Sequence, residues 1–190
     1  MAKSDFLNIA SVKKIGFKSY GKNIQISKTV VFLNPNLIIL GNNVRIDANT
    51  VITASSHKIN IGSYVHIGVG CYINGSFGVH LSDFVGLSSG AKILSSSDDY
   101  SGNFMTNPTV PKEFTNPKNK KVILHKYVNI GANSLIMPGV NIFEGSVVGV
   151  FSFVPKNLKE WGIYFGIPVK RIGERKKNIL KLFKKVKKNE

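Results

Sequence analysis

Aliphatic residues recur every six positions along most of this chain, and that spacing restricts its possible folds more than any other feature. Leu124, Ile130, Ile136, Ile142, Val148 and Val154 mark six consecutive hexads. Val128, Ser134, Val140, Ser146 and Ser152 hold the fifth position of the first five. The same template fits Leu40, Ile46 and Ile52, then Ile61, Ile67 and Ile73, then Leu81, Leu87 and Ile93, with Val44, Thr50, Val65, Cys71, Val85 and Ala91 at fifth positions. Ile26, Phe32 and Ile38 keep the spacing, so a first coil with irregular corners is expected there. Slips near 53–60 and 74–80 read as small outward bulges, whereas about 25 extra residues separate Ile93 from Leu124.

A period of six is neither the helical period nor the alternation of a hairpin. Short strands joined by tight corners account for it. Each hexad forms one flat side, its aliphatic residue points inward, the small fifth residue fits beside it, and Gly or Asn in the corners tolerates positive φ. Stacked turns then make parallel sheets with strands about 4.8 Å apart. Each buried aliphatic side chain contributes about 1.5–3 kcal/mol, so the repeat itself is the core.

The 190 residues suit one domain. Lys and Arg number 26 against 10 for Asp and Glu, which favours an anionic partner: nucleic acid, an acidic membrane surface or a phosphate-rich small molecule. The single cysteine, Cys71, excludes a disulfide framework and a Cys-clustered zinc site, and reads as a small buried hydrophobe. The chain has no apolar run of the length that spans a bilayer, and MAKSDFLNIA lacks the apolar core of a secretory signal, so a cytoplasmic protein is expected.

Ten basic residues fall within 170–190 against two acidic ones, Glu174 and Glu190. Ile179, Leu182, Phe183 and Val186 form an apolar helical stripe in this tail. Two readings stand, a helix packed on the body or a weak membrane-surface contact. A nucleic-acid role shares the second reading, one basic helix without interleaved aromatic readers being a weak signal for either, and no nucleic-acid partner is expected. The expected organisation is one domain of stacked repeat coils over 1–173, with an external loop at about 95–121, followed by a basic amphipathic helix over 174–190.

The run IGANSLIMPGVNIFEGSVVGVFSFVPKNLKEWGIYFGIPVKRIGERKK resembles the end of the hexapeptide-repeat acyltransferases. The resemblance implies an all-β fold, a left-handed parallel β-helix with three hexads per coil, assembled as a homotrimer with acyl-CoA in the groove between neighbours. By position it implies that backbone groups of Ala132 and Val150 bind the pantetheine arm. Lys156, Lys170 and Arg175 would lie near the phosphates, a role that suits their charge. Trp161 would line that groove or cap the coil stack.

In the maltose and galactoside acetyltransferases of this family a histidine follows the coil before the long loop and serves as general base. The matching position here is Asp98, and no histidine lies within residues 81–124. A carboxylate of pKa about 4 is a poor base for a hydroxyl. A neutral amine attacks a thioester unaided, so a carboxylate that binds and orients the ammonium suffices, and N-acylation is favoured. The segment KILSSSDDYSGNFMTNPTVP, with EWGIYFGIP, resembles a narrower branch, the N-acyltransferases of nucleotide-linked aminodideoxysugars such as dTDP-4-amino-4,6-dideoxyglucose, which serve surface polysaccharide synthesis. The resemblance implies an acetyl-CoA or other acyl-CoA co-substrate and an amine contact from Asp98 or Asp99. The other reading of the Asp pair is a turn. Tyr100, Asn107 and Glu113 in the same loop are candidates to contact the nucleotide-sugar.

Four histidines keep other readings open. His57 and His80 are expected in the bulges, His66 and His125 at outward hexad positions. One facing a neighbouring subunit could act as base or hold the sugar's diphosphate, which leaves a sugar O-acetyltransferase as the alternative. A non-enzymatic β-helical scaffold or membrane-surface protein using its basic tail is the third. No metal is expected, because the close histidine pair of the γ-class carbonic anhydrases is missing.

Overall fold

Hexads become sides of a prism. The structure, a computed structural model, describes residues 5–188; positions 189 and 190 of the expected tail lie outside the described residues. The first face stacks Ser19–Tyr20, Ile38–Leu40, Ile59–Ile61, Val79–Leu81, Val122–Leu124 and Asn141–Ile142 as a six-stranded sheet. The second face runs from Gln25–Ile26 through Arg45–Ile46, His66–Ile67, Gly86–Leu87 and Asn129–Ile130 to Val147–Val148. The third stacks Val31–Leu33, Val51–Thr53, Tyr72–Asn74, Lys92–Leu94, Leu135–Ile136 and Phe153–Val154. Pairing within each face is parallel and joins residues one coil apart, as in Ile46↔Ile67 and Leu87↔Ile67.

The interior is the expected ladder. Leu124, Ile130, Ile136, Ile142, Val148 and Val154 are all 0% exposed, and Ser134 and Ser146 at fifth positions are equally buried. A buried hydroxyl needs a partner. The Ser134 hydroxyl donates to Gly149 O at 2.7 Å, and the Ser146 hydroxyl donates to Lys159 O at 2.7 Å, so small polar residues tie one coil to the next. Gly131 shows why size matters at the corners: a Cβ there would meet backbone atoms of Gly149 and Val150 at 2.5 and 2.6 Å.

Asn supplies positive φ at several corners, including Asn43, Asn49 and Asn133. The corner between the first and second faces departs from the Gly and Asn expectation, because Tyr64, Phe84, Tyr127 and Trp161 all adopt φ between 52° and 63° there. Such a backbone costs about 1–2 kcal/mol per residue. Stacking offsets it: ring centroids of Tyr64 and Phe84 lie 4.7 Å apart, and those of Phe84 and Tyr127 5.4 Å apart. Trp161 lies over Gly145, where any side chain would strike its ring. It is 6% exposed, so it closes this corner of the coil stack, the capping one of its two readings.

Both ends of the prism are covered. Helix Ile9–Lys14, not anticipated from the repeat, is capped by the Asn8 side chain and inserts Val12 into the core. At the other end Gly162–Gly166 extends the second face and turns back as an antiparallel hairpin with Val169–Glu174, one residue past the expected boundary. Helix Ile179–Lys188 then lies against the aromatic corner, with Phe183 edge-on to Phe84 at 5.2 Å and to Tyr127 at 5.9 Å. Phe183 of the apolar stripe thus packs on the body, while Leu182 and Val186 stay 49% and 40% exposed, so the stripe is covered only in part. One histidine placement needs correction: His80 sits in the strand Val79–Leu81, half-buried, because the slip before it is absorbed at 75–78.

Candidate active site

The external loop leaves the third face after Lys92–Leu94 and rejoins the first at Val122–Leu124. Its foot is pinched: the Lys120 N–H donates to Ser95 O at 2.9 Å, and Ser96–Ser97 pairs antiparallel with Lys118–Asn119. Ser95 is fully buried and its hydroxyl accepts from the Phe77 N–H at 2.9 Å, which fixes where the next residues emerge. Asp98 emerges half-buried on the wall of a cavity of about 630 Å³, together with Asn74, Phe77, Ser97 and Lys112. Among the described residues no hydrogen bond or ion pair engages its carboxylate. A half-buried carboxylate without a partner favours a cationic ligand.

Asp99 is occupied differently. Its carboxylate accepts from the Ser101 N–H at 2.7 Å and from Asn116 Nδ2 at 3.4 Å, the turn reading of the Asp pair. The Ser101 hydroxyl and backbone, then Asn116, hold its pKa below the usual aspartate value. Asn107 lines the same cavity as Asp98, but its side-chain oxygen accepts from the N–H and hydroxyl of Thr109 at 2.9 and 2.6 Å. Tyr100 is 81% exposed, its hydroxyl accepting from Ser97 at 3.1 Å, and Glu113 is an exposed residue of the short helix Lys112–Phe114. The structure therefore brings Asp98 and Asn107 together and leaves Tyr100 and Glu113 outside the cavity lining.

A second, smaller cavity of about 250 Å³ lies at the corner between the second and third faces, lined by Asp47, His66, Gly86, Ser88, Ser89 and Asn129. His66 Nε2 lies 2.7 Å from one Asp47 oxygen, and Arg45 Nε donates to the other at 2.7 Å. Burial raises the Asp47 pKa, but the hydrogen bonds from His66 and Arg45 outweigh it and hold the carboxyl below its ordinary value. A carboxylate shifted in this direction stabilises the fold above its unfolded pKa of about 4, and that contribution is lost as pH falls through the folded pKa. Melting temperatures of wild type and Asp47→Asn are expected to differ at neutral pH and converge in acid below about pH 4. Parallel curves across that range would show that the pair has no such linkage. His125 lies elsewhere, at the first corner, its ring 5.0 Å from Phe143 and stacked on it.

The expected cofactor residues fall on three different corners. Ala132 and Val150 lie on successive coils between the second and third faces, where the Ala132 carbonyl already accepts the Phe151 N–H at 2.8 Å and Val150 is 51% exposed. Lys170 joins them, because its strand neighbour Phe165 packs its ring on Gly149. Lys156 is on the next corner, beside Lys118 and Lys120. Arg175 lies on the first corner, where its Nη1 donates to Tyr127 O at 2.6 Å and Gly145 O at 3.0 Å and so ties down the aromatic corner.

Comparison with known proteins supplies the chemistry. No protein-family model matches the chain. It is 41% identical over 177 residues, 93% of this chain and 92% of the other, to the dTDP-4-amino-4,6-dideoxy-D-glucose acyltransferase of Escherichia coli. The chain belongs to the dTDP-4-amino-4,6-dideoxy-D-glucose acyltransferase family. A member of similar length, the N-acyltransferase AntD of Bacillus cereus, has been solved as a variant in complex with dTDP-4-amino-4,6-dideoxyglucose and Coenzyme A. It superposes with a TM-score of 0.95 at 41% identity, covering 99% of this chain and 100% of that one. AntD with dTDP and 3-hydroxybutyryl-CoA gives 0.94 at 42% identity, covering 98% of each. The solenoid is accordingly the left-handed β-helix of hexapeptide repeats, and the protein an acyl-CoA-dependent acyltransferase.

In this acyltransferase family member the sequence reading passed over Asp47, Ser88 and Asn129. The signal was the coil length rather than the hexad. Outward residues one coil apart are neighbours on a face, so Arg45 stacks beside His66, and Gly86 stands between His66 and Asn129. Reading the chain in steps of one coil, about 20 residues with the corners counted, would have gathered them.

Proposed function

We propose that this chain transfers an acyl group from acyl-CoA to the sugar amine of dTDP-4-amino-4,6-dideoxyglucose, as a cytoplasmic homotrimer serving surface polysaccharide synthesis. The observation that carries the reading is the unpartnered Asp98 carboxylate on the wall of the loop cavity. It binds the ammonium and orients the amine. After losing its proton, the nitrogen adds to the thioester carbonyl carbon, and a backbone N–H stabilises the oxyanion. Collapse breaks the C–S bond; the adduct nitrogen gives up a second proton, which leaves with CoA as the thiol, while the first, from the ammonium, has gone to solvent.

The solved AntD variants include replacements of a serine and of an aspartate ten positions apart. In this chain Ser88 and Asp98 keep that separation, as do Ser89 and Asp99. Ser88 and Asp98 lie at different corners of one prism, which supports a site completed by a neighbouring copy. The Asp47–His66 pair is the one observation that favours the alternative, hydroxyl acylation with an imidazole base.

A thiol-release assay with acetyl-CoA and 3-hydroxybutyryl-CoA separates these readings, run against dTDP-linked amino sugars and their hydroxyl counterparts. Turnover is expected with the amino sugar. Turnover confined to hydroxyl acceptors, and abolished by His66→Ala, would replace N-acylation with the alternative.

A further inference from the structure

Two cavities meet at the foot of the external loop. The one that holds Asp98 shares Phe77 and Asn119 with a neighbour of about 640 Å³ on the edge of the first face, so the two form one trough. The far part of the trough is cationic, lined by Lys58, Lys120 and Lys121 with His57. Among the described residues none of these lysines pairs with a carboxylate. The Lys58 ammonium instead lies against that of Lys18 and pushes the Lys18 pKa below the usual lysine value. His80, behind them on the first face, is pushed down by burial and then by Lys121 and His125. Cations gathered without a counter-charge repel one another and attract a multivalent anion. The rings of His57 and Phe77, 5.5 Å apart, add an apolar wall.

The trough therefore has a polarity, carboxylate at one end and ammonium groups at the other. A hexose with an amine at C4 and a diphosphate at C1 has the reverse polarity, with its two charged groups on opposite sides of the ring. We infer that the Lys58, Lys120 and Lys121 end of the trough binds the diphosphate of the nucleotide-sugar, setting the amine against Asp98. This rests on the N-acyltransferase reading and assigns the acceptor's anchor within it. The hydrogen bonds involved are charge-assisted, the strong class of phosphate contact. The acyl-CoA phosphates are thereby left to cations outside the trough.

The test is the Lys58→Ala/Lys121→Ala double variant, with each substrate varied in turn and dTDP binding titrated directly on the full chain. Both lysines are exposed, so folding is retained, and the melting temperature checks it. KM for the nucleotide-sugar and Kd for dTDP are expected to rise about tenfold or more, while KM for acyl-CoA stays within about twofold. A rise confined to acyl-CoA would overturn the assignment and give the trough to the CoA phosphates. Unchanged constants for both would reduce the lysines to solvated charges. Lysine-dependent dTDP binding in a wild type that acylates no amino sugar would keep the subsite and refute the function instead.

Discussion

Asp98→Asn is expected to lower turnover of the dTDP-amino sugar by about 10²- to 10⁴-fold, the range for removing a positioned group that handles the proton. Asparagine is nearly isosteric but carries no charge to hold an ammonium, and Asp98 anchors no neighbouring backbone that the change would release. The melting temperature and the affinity for acyl-CoA should therefore hold. Asp99→Asn is the internal control. Its side-chain oxygen can still accept the Ser101 N–H, so the loop keeps its turn, and kcat should fall by less than about tenfold. Steady-state kinetics of both variants decide between the two carboxylates. An active Asp98→Asn beside a dead Asp99→Asn would reverse the assignment, and two active variants would remove the carboxylate from the reaction.

The largest stability effect should come from the interior ladder. Ile67 is fully buried, its strand neighbours on the second face being Ile46 on one side and Leu87 on the other. Ile67→Ala is expected to cost about 2–5 kcal/mol, towards the upper end because backbone pairing fixes the coil spacing and keeps the cavity from collapsing. Ile167, at the tip of the terminal hairpin, is 76% exposed, and Ile167→Ala should stay within about 0.5 kcal/mol. Denaturant unfolding of the two variants measures the contrast. A loss at Ile67 below about 1 kcal/mol would mean that neighbouring coils relax into the space, and the ladder would not be the rigid core described.

The hexad period was sufficient to foresee flat strand sides, the buried ladder and the loop between Ile93 and Leu124, whereas three sides per coil followed from the family resemblance. The reason is local: with side chains fixed to one side per strand, a six-residue spacing of aliphatics allows few other ways to bury them all. The Asp98–Asp99 pair was equally visible, since it opens the one long break in the repeat. Which of the two carboxylates is unengaged was not. Ser101 and Asn116 hold Asp99, and the second of these is brought back only when the loop closes on itself. The aromatic corner was hidden for another reason. Tyr64, Phe84 and Tyr127 violate the rule that Gly or Asn takes positive φ, and only their stacking and the Phe183 contact offset the strain.

Sequence by itself determined the coil, its core and the place where the regular pattern opens, because each depends on spacing along the chain. The tertiary structure decided what stands beside what across coils. It drew Arg175 to the Tyr127 and Gly145 carbonyls, set His66 against Asp47, and joined the Asp98 cavity to the Lys58 and Lys121 groove through Phe77 and Asn119. These contacts join residues 19 to 48 positions apart, in the case of His66 with Asp47 and of Arg175 with Tyr127. Charge and hydrogen-bonding complementarity act through space, and the stacking of coils, with the length of each corner, sets which residues meet.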